Sequence, residues 1–171
     1  MNAIALLKAQ HEKVTQALEA VHEDGADAGQ IEMIANELVA HMVIEEHLFY
    51  PRIRELMPEM IGESFEEHAV ARFELARFIT AHAVDVKTRA LVLKELLEHH
   101  IEEEEEEEEE MFTKVSRSLD ATELTDLGVN MKIGFDSAVA KGYAAFVSAK
   151  PGAKTKRPAS HDGAHGTHAA H

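Results

Sequence analysis

The sequence predicts an all-α protein, an antiparallel four-helix up-and-down bundle with an additional C-terminal helix and a disordered tail. Helix-favouring Ala, Leu, Glu, Lys and Met dominate the 171 residues, and β-branched residues do not alternate as in strands. Apolar residues recur at spacings of three and four, the pattern of a helix face turned into a bundle. The connections between helical segments are short, which favours antiparallel neighbours.

Five helical segments lie between the strongest breaks in this pattern. They run from about Asn2 to His22, from Gln30 to Met57, from Glu63 to Val84, from Asp85 to Ser116 and from Ala121 to Ser148. Pro51 should bend the second segment, because proline removes a backbone hydrogen bond from a helix. The fifth segment should pack outside the bundle or cap it. It carries Leu124, Leu127, Met131, Ile133 and Phe135.

The domain organisation follows from the same reading. Residues 1–149 form the bundle, and residues 150–171 form a flexible tail rich in His and Lys. Pro151 and Gly152 mark the boundary. The tail is expected to be disordered, because it has few apolar residues with which to build a core.

Composition excludes several classes of protein. The net charge of −15 makes nucleic acid and anionic membranes unfavourable partners. No apolar run reaches the roughly 18 residues of a spanning helix, and the N-terminus lacks the basic flank of a signal peptide. The absence of cysteine excludes disulfides, thiolate zinc sites and iron–sulfur clusters. These features predict a cytoplasmic protein.

A histidine interrupts the apolar stripe of each of the first four helices near its middle. The stripes are Ile4, Leu7, His11, Val14, Leu18 and Val21; Ile34, Leu38, His41, Glu45 and Leu48; Ile61, Phe65, His68, Arg72, Leu75 and Ile79; and Leu93, Leu97, His100, Glu104, Glu107 and Met111. Two of the four histidines, His41 and His100, are followed four residues later by a glutamate on the same face. That spacing is one helical turn, about 6 Å along the axis.

A buried carboxylate beside a buried imidazole requires a compensating partner. Desolvation of an unpaired ionised glutamate costs several kcal/mol, and coordination of a metal ion removes that cost. A single histidine of this kind is more often a hydrogen-bonded core residue, but four of them on four helices favour a metal site. Six such ligands are too many for one tetrahedral zinc ion and suit two octahedral ions bridged by the glutamates.

Four stretches carry a resemblance to a known family. They are Lys8-Ala9-Gln10-His11-Glu12, the run from His41 to Pro51, Glu66-Glu67-His68, and His99-His100-Ile101 with the glutamates after it. Over about residues 2–116 the sequence resembles the hemerythrin-like family, also called the HHE cation-binding domain. The family is known for a four-helix bundle with a non-haem diiron site, and its members carry or sense dioxygen, or sense or buffer iron. By this resemblance the metal ligands are His11, His41, Glu45, His68, His100 and Glu104.

The sequence departs from the family pattern in three places. Oxygen-carrying members usually have a second histidine where this chain has Arg72. His99 and His100 are adjacent, so His99 with Glu103 is an alternative ligand pair, although His100 continues the stripe of Leu93 and Leu97. The glutamate run from Glu102 to Glu110 is about three residues longer than usual. Glu46 is a spare carboxylate beside a ligand, and Tyr50 is expected at the bundle end, with a contact to the site as the alternative.

The resulting functional prediction is a protein that binds two non-haem iron ions, oxo- or hydroxo-bridged, and reacts with or senses dioxygen or a related small ligand. An iron-sensing or iron-handling module without catalysis is the alternative. A ferritin-like diiron oxidase ranks lower, because only Glu19 and His22 show the Glu-x-x-His spacing, and they lie off the stripe. No catalytic residue is predicted. The sequence favours a metal-binding protein over an enzyme, with slow redox activity possible, and identifies no protein partner.

Overall fold

The computed structural model describes residues 1–105 and 111–147, within which helices are the only regular secondary structure. These are α1 (Ala3–Asp24), α2 (Ala28–Ile44), a π-helical segment (Glu45–Phe49), α3 (Tyr50–Ile53), α4 (Pro58–Ile79), α5 (Val86–Glu105), α6 (Met111–Ser118), α7 (Ala121–Lys141) and α8 (Ala144–Val147). The predicted all-α bundle is confirmed. The predicted tail, residues 150–171, and residues 106–110 of the glutamate run lie outside the described part.

Local capping explains where several helices begin and end. The Asn2 side chain accepts a hydrogen bond from the Ala5 N–H at the start of α1. Asp27 forms a reciprocal capping box with Gln30 before α2, and α7 begins with the equivalent box. Gly25, at a φ of 86°, ends α1 in a conformation that favours glycine.

The helices α1, α2, α4 and α5 form a closed ring of neighbours. Each of α1 and α4 contacts both α2 and α5, so the four long helices enclose one core. The helix α7 packs on the outside of α1 and α2, as predicted for the fifth segment. Its Leu124 and Met131 are buried, whereas Ile133 is exposed.

The core consists of two hydrophobic clusters separated by a polar layer. One cluster gathers side chains such as Leu7, Phe49 and Phe112, and the other gathers Leu18, Leu38 and Leu93. The four buried histidines, with Glu45 and Glu104, occupy the level between the clusters. No helix among residues 1–105 and 111–147 has the length and apolar content needed to cross a lipid bilayer.

The segment around Pro51 differs from the sequence-based stripe. The chain continues through Pro51, but the preceding turn is π-helical, and the Tyr50 N–H donates to the Glu45 carbonyl five residues earlier. The wider turn rotates the next residues around the helix axis, so Phe49 and Tyr50 are fully buried. Leu48, predicted on the inner stripe, instead lies half-buried beside Gly134 of α7.

The start of α4 also differs from the prediction. We expected the helix to begin near Glu63, after breaks at Pro58 and Gly62, but it begins at Pro58 itself. Proline is well tolerated in the first helical turn, where its missing N–H would have had no partner. On the inner face of α4, Ser64 is buried and Phe65 is 39% exposed, so Phe65 was placed wrongly on the stripe.

Candidate metal centre

The polar layer between the two hydrophobic clusters contains all six residues that the sequence suggested as ligands. His11 comes from α1, His68 from α4, and the other four from the His-x-x-x-Glu turns that α2 and α5 contribute. The layer consists of His11, His41, Glu45, His68, His100 and Glu104, none more than 5% exposed. In α5, and across the junction of α2 with the π-helical segment, each histidine lies one turn before its glutamate. Both side chains of such a turn therefore point from the same face of the helix into the layer.

The four imidazoles form two pairs whose Nε2 atoms face each other. The Nε2 atoms of His11 and His41 are 3.1 Å apart, and those of His68 and His100 are 3.3 Å apart. Glu45 lies between the pairs, with its Oε2 atom 3.2 Å from the Nε2 atoms of both His41 and His68. One ligand atom each from His11, His41 and Glu45 lies within 4.8 Å of the others, and Glu45 forms a second such group with His68 and His100.

Glu104 spans the layer from the opposite side. Its Oε2 atom is 3.6 Å from His11 Nε2, and its Oε1 atom is 3.7 Å from His100 Nε2. Each glutamate therefore lies near one histidine of each pair. This is the arrangement of two adjacent cation positions that share two carboxylates.

The other ring nitrogen, Nδ1, of each histidine contacts an acceptor on a neighbouring helix. His11 contacts Glu105 at 2.6 Å, His41 contacts Gln10 at 2.9 Å, His68 contacts Glu46 at 3.0 Å, and His100 contacts Glu67 at 2.7 Å. An ionised carboxylate only accepts hydrogen bonds, so Nδ1 must carry the proton. A neutral imidazole then has its lone pair on Nε2, which faces the centre of the layer, as metal-binding histidines usually do.

The sequence analysis missed three of these four acceptors: Gln10, Glu67 and Glu105. Each is adjacent in sequence to a residue of the layer, but it acts on a histidine of the next helix. That relation depends on how the helices are placed around the bundle, and no spacing within one helix reveals it. Glu46, noted as a spare carboxylate, accepts from His68 Nδ1 and pairs with Arg72 at 2.7 Å. Arg72 therefore supports the layer from outside.

Among the residues that the structure describes, three of the four carboxylate oxygens of the layer lack a hydrogen-bond donor. Both Glu45 oxygens and Glu104 Oε2 are buried without a hydrogen-bond partner within the described part of the chain. Burial raises the pKa of Glu104 to about 7. Burial also acts to raise the pKa of Glu45, but the interactions of this carboxyl with the neighbouring imidazoles of His41, His68 and His100 together outweigh burial and lower it. Unsatisfied buried carboxylate oxygens facing imidazole lone pairs fit a cation.

The pKa values of the histidines also reflect opposing effects of burial and of neighbouring carboxylates. Burial lowers the pKa of His41 to about 3. Burial acts in the same direction on His100, but Glu104 and the hydrogen bond to Glu67 outweigh it and raise the pKa to about 9. Without a cation, the layer therefore retains protons at neutral pH on His100 and partly on Glu104.

Tyr50 adds a seventh polar group to the layer. Its hydroxyl donates a hydrogen bond to Glu104 Oε1 at 3.0 Å and lies 3.4 Å from His68 Nε2. The sequence favoured a position at the bundle end, but the π-helical turn brings the phenol to the site. Burial and the charge of Glu104 raise its pKa well above the ordinary value, so the phenol keeps its proton.

The alternative ligands lie outside the buried layer. The His99 side chain is 68% exposed, and its Nε2 atom is 3.5 Å from Glu103 and 3.7 Å from Glu67. His47 and His82 are exposed, and His22 contacts the Lys87 carbonyl at the far end of α1. Among the adjacent histidines, the structure brings His100 and not His99 to the layer, as the stripe of Leu93 and Leu97 predicted.

A cleft between α1 and α5 leads from the surface to His11. Its volume is about 410 Å³. The lining residues are Lys8, His11, Glu12, Thr15, Glu98, Ile101, Glu102 and Glu105. Four carboxylates thus surround an opening whose floor is one of the buried imidazoles, which suits the approach of a cation.

Comparisons with known proteins agree with this fold and place the chain beside a cation-binding family. A family model described as the hemerythrin HHE cation binding domain matches residues 2–115. The crystal structure of a hemerythrin HHE cation binding domain-containing protein from Mycobacterium kansasii is similar, with a TM-score of 0.68 and 21% identity, covering 82% of this chain and 89% of that one. At that identity the likeness supports the fold alone. A search of the curated proteins found no match. The family match spans all four helices that contribute to the polar layer.

Proposed function

Because the chain belongs to the hemerythrin HHE cation-binding domain family, we propose that it is a non-haem protein that holds two iron ions within residues 2–116 of a bundle spanning residues 1–149. The proposed ligands are the six buried residues of the polar layer: His11, His41, Glu45, His68, His100 and Glu104. Cation binding is the family's property, whereas the number of ions and the choice of iron are our proposal.

The observation that carries this proposal is that four imidazoles form two facing pairs, and that each of two glutamates lies near both pairs. One cation would need fewer ligands, and a tetrahedral zinc site would leave two of the six residues buried without partners. Four imidazoles and two carboxylates suit iron, and two octahedral ions use all six residues. The three orphaned carboxylate oxygens are the atoms that would gain most from the ions.

The bound iron pair would supply the capacity to bind or reduce dioxygen or a related small ligand. The chain's own contribution is to fix the imidazoles through their Nδ1 contacts and to hold the layer between two apolar clusters. Tyr50 places a phenol proton at Glu104. Arg72 of α4 has no lone pair to offer a metal ion, and it faces Glu46. The site therefore lacks a fifth imidazole ligand at this position. We therefore propose that the ferrous protein is oxidised by dioxygen and does not carry it reversibly.

Metal analysis combined with two adjacent variants tests the proposal. Protein purified without chelator should contain two iron ions per chain, and its absorption spectrum should differ between air and argon. His100→Ala should lose at least one ion, because Nε2 of His100 faces the layer. His99→Ala is the matched control and should keep both buried ions. A single zinc ion per chain, or the loss of iron in His99→Ala alone, would contradict the proposed centre.

Oxidation kinetics test the second part of the proposal. Ferrous protein mixed with aerated buffer should oxidise within minutes, measured by stopped-flow absorption. Arg72→His, which offers an imidazole at that position, should slow the oxidation. A wild-type protein that holds dioxygen for hours and releases it under argon would restore the oxygen-carrier interpretation.

An iron-sensing or iron-handling role without catalysis is the second candidate. The acidic cleft that reaches His11 favours it, because such an opening suits the exchange of cations with solvent. In that case iron should leave the protein readily when a chelator is added. Slow release over many hours would instead favour a permanently loaded redox centre.

A further inference from the structure

A second group of metal-binding side chains lies on the surface where α4 and α5 meet. It consists of Glu67, His99 and Glu103, which we call the surface triad. The His99 Nε2 atom is 3.5 Å from Glu103 and 3.7 Å from Glu67, and one ligand atom from each of the three lies within 4.8 Å of the others. None of these three residues is a proposed ligand of the diiron centre, although Glu67 accepts a hydrogen bond from the ligand His100.

The positions of the three donors are fixed by the fold. His99 and Glu103 are one turn apart on α5, so the helix sets their spacing. Glu67 comes from α4, and its Oε2 atom is held by His100 Nδ1 at 2.7 Å, which leaves Oε1 directed at His99. The triad therefore combines an imidazole and two carboxylates from two packed helices, and one of the carboxylates is anchored from behind.

The chemistry of the triad matches a divalent transition-metal ion. Imidazole and carboxylate together suit Zn²⁺, Mn²⁺ and Fe²⁺. Two carboxylates held this close repel each other, and a divalent cation between them would offset that repulsion. The His99 side chain is 68% exposed, so a bound ion would keep water ligands and exchange with solvent.

We propose that the surface triad is a third cation site, separate from the buried centre and weaker than it. The inference goes beyond the proposed function and does not depend on which metal occupies the buried layer. The two sites are linked through Glu67, which accepts a hydrogen bond from His100 and offers its other oxygen to the triad.

Counting zinc equivalents tests the proposal. The metal-free full-length chain is titrated with Zn²⁺ in competition with a chromophoric chelator, beside the double variant His99→Gln, Glu103→Gln. The double variant should bind one equivalent fewer than wild type. His82→Gln is the matched control, because it removes an exposed imidazole outside the triad, and it should bind as many equivalents as wild type. The four tail histidines stay in every variant, so their contribution cancels.

Two further measurements keep the outcome unambiguous. Melting temperatures should be unchanged in the double variant, because both side chains lie at the surface, and His99→Gln alone serves if the double variant folds poorly. After two equivalents of Zn²⁺ have filled the buried centre, less than one further equivalent of Mn²⁺, which binds more weakly than Zn²⁺ and does not displace it, should broaden the NMR signals of the His99 ring but not those of His82. Equal zinc counts in wild type and in the folded His99→Gln variant would overturn the proposal, and so would unbroadened His99 signals.

Discussion

At each histidine of the polar layer the two ring nitrogens have different tasks. Nδ1 donates to an acceptor on the neighbouring helix, and Nε2 faces the glutamates. At His68 the supporting contacts extend one residue further. Arg72 forms an ion pair with Glu46, and Glu46 accepts a hydrogen bond from the His68 ring. The residues around a ligand thus decide which nitrogen is available to a cation.

Removal of one Nδ1 acceptor should weaken iron binding. Glu46→Ala leaves the His68 ring free to rotate and to change tautomer, and we expect a loss of about 10- to 100-fold in ferrous iron affinity. Anaerobic chelator competition measures it. Glu46→Gln keeps an acceptor oxygen and should lose much less. If both variants bound iron as tightly as wild type, the Nδ1 contact would have no orienting role.

Metal affinity should rise with pH, more steeply below pH 7 than above it. A cation must displace the proton of His100, whose pKa is about 9, and below pH 7 also that of Glu104, whose pKa is about 7. Because both pKa values are raised, protons compete with the metal ion for these two side chains at neutral pH, and this competition weakens as the pH increases. Zn²⁺ competition titrations between pH 6 and 9 measure the slope. Glu104→Gln cannot titrate, so its profile should lose the steeper part.

At the scale of the helices, the period of 3.6 residues predicts the layer correctly but not its surroundings. His11, His68 and His100 fall on apolar stripes, and a regular helix must turn them inward. The π-helical turn breaks that period after Ile44, and no pattern of apolar residues indicates it, which is why Leu48 was misplaced and Tyr50 was undervalued. Pro58 was read as a break because the sequence does not distinguish a helix start from an interruption.

The packing of α7 depends on the absence of a side chain at Gly128. A Cβ atom there would lie 2.6 Å from the Asn2 carbonyl carbon and 2.7 Å from the Ala3 nitrogen, so the chain before α1 could not approach α7. We expect Gly128→Ala to lower the free energy of unfolding by about 1–3 kcal/mol. Urea denaturation measures it.

Gly62 provides the matched control for this substitution. Nothing lies within 4 Å of a Cβ atom added at Gly62, which is inside α4. Gly62→Ala should therefore raise stability by about 0.5–1 kcal/mol through helix propensity. Equal effects of the two substitutions would show that the close approach at Gly128 does not constrain the fold.

At the scale of the whole molecule, the buried layer makes the stability of the bundle depend on metal. Anaerobic ferrous iron should raise the melting temperature of the metal-free protein, because ions that bind only the folded state stabilise it by about 4 kcal/mol at a thousand times the dissociation constant. Differential scanning calorimetry measures the shift, and His68→Ala, which removes a proposed ligand, should reduce it. An unchanged transition at saturating iron would argue against a buried site.

The four Nδ1 contacts all run in the same direction around the bundle. Each acceptor takes a hydrogen bond from the histidine of the next helix around the bundle. Gln10 of α1 accepts from α2, Glu46 after α2 accepts from α4, Glu67 of α4 accepts from α5, and Glu105 of α5 accepts from α1. On α1 and α4 the acceptor precedes a layer residue, whereas on α2 and α5 it comes directly after one. Since these two pairs of helices run in opposite directions, both placements point to the next helix round. A bundle of the opposite hand would turn every acceptor away from its histidine, so the chemistry of the site also selects the handedness of the fold.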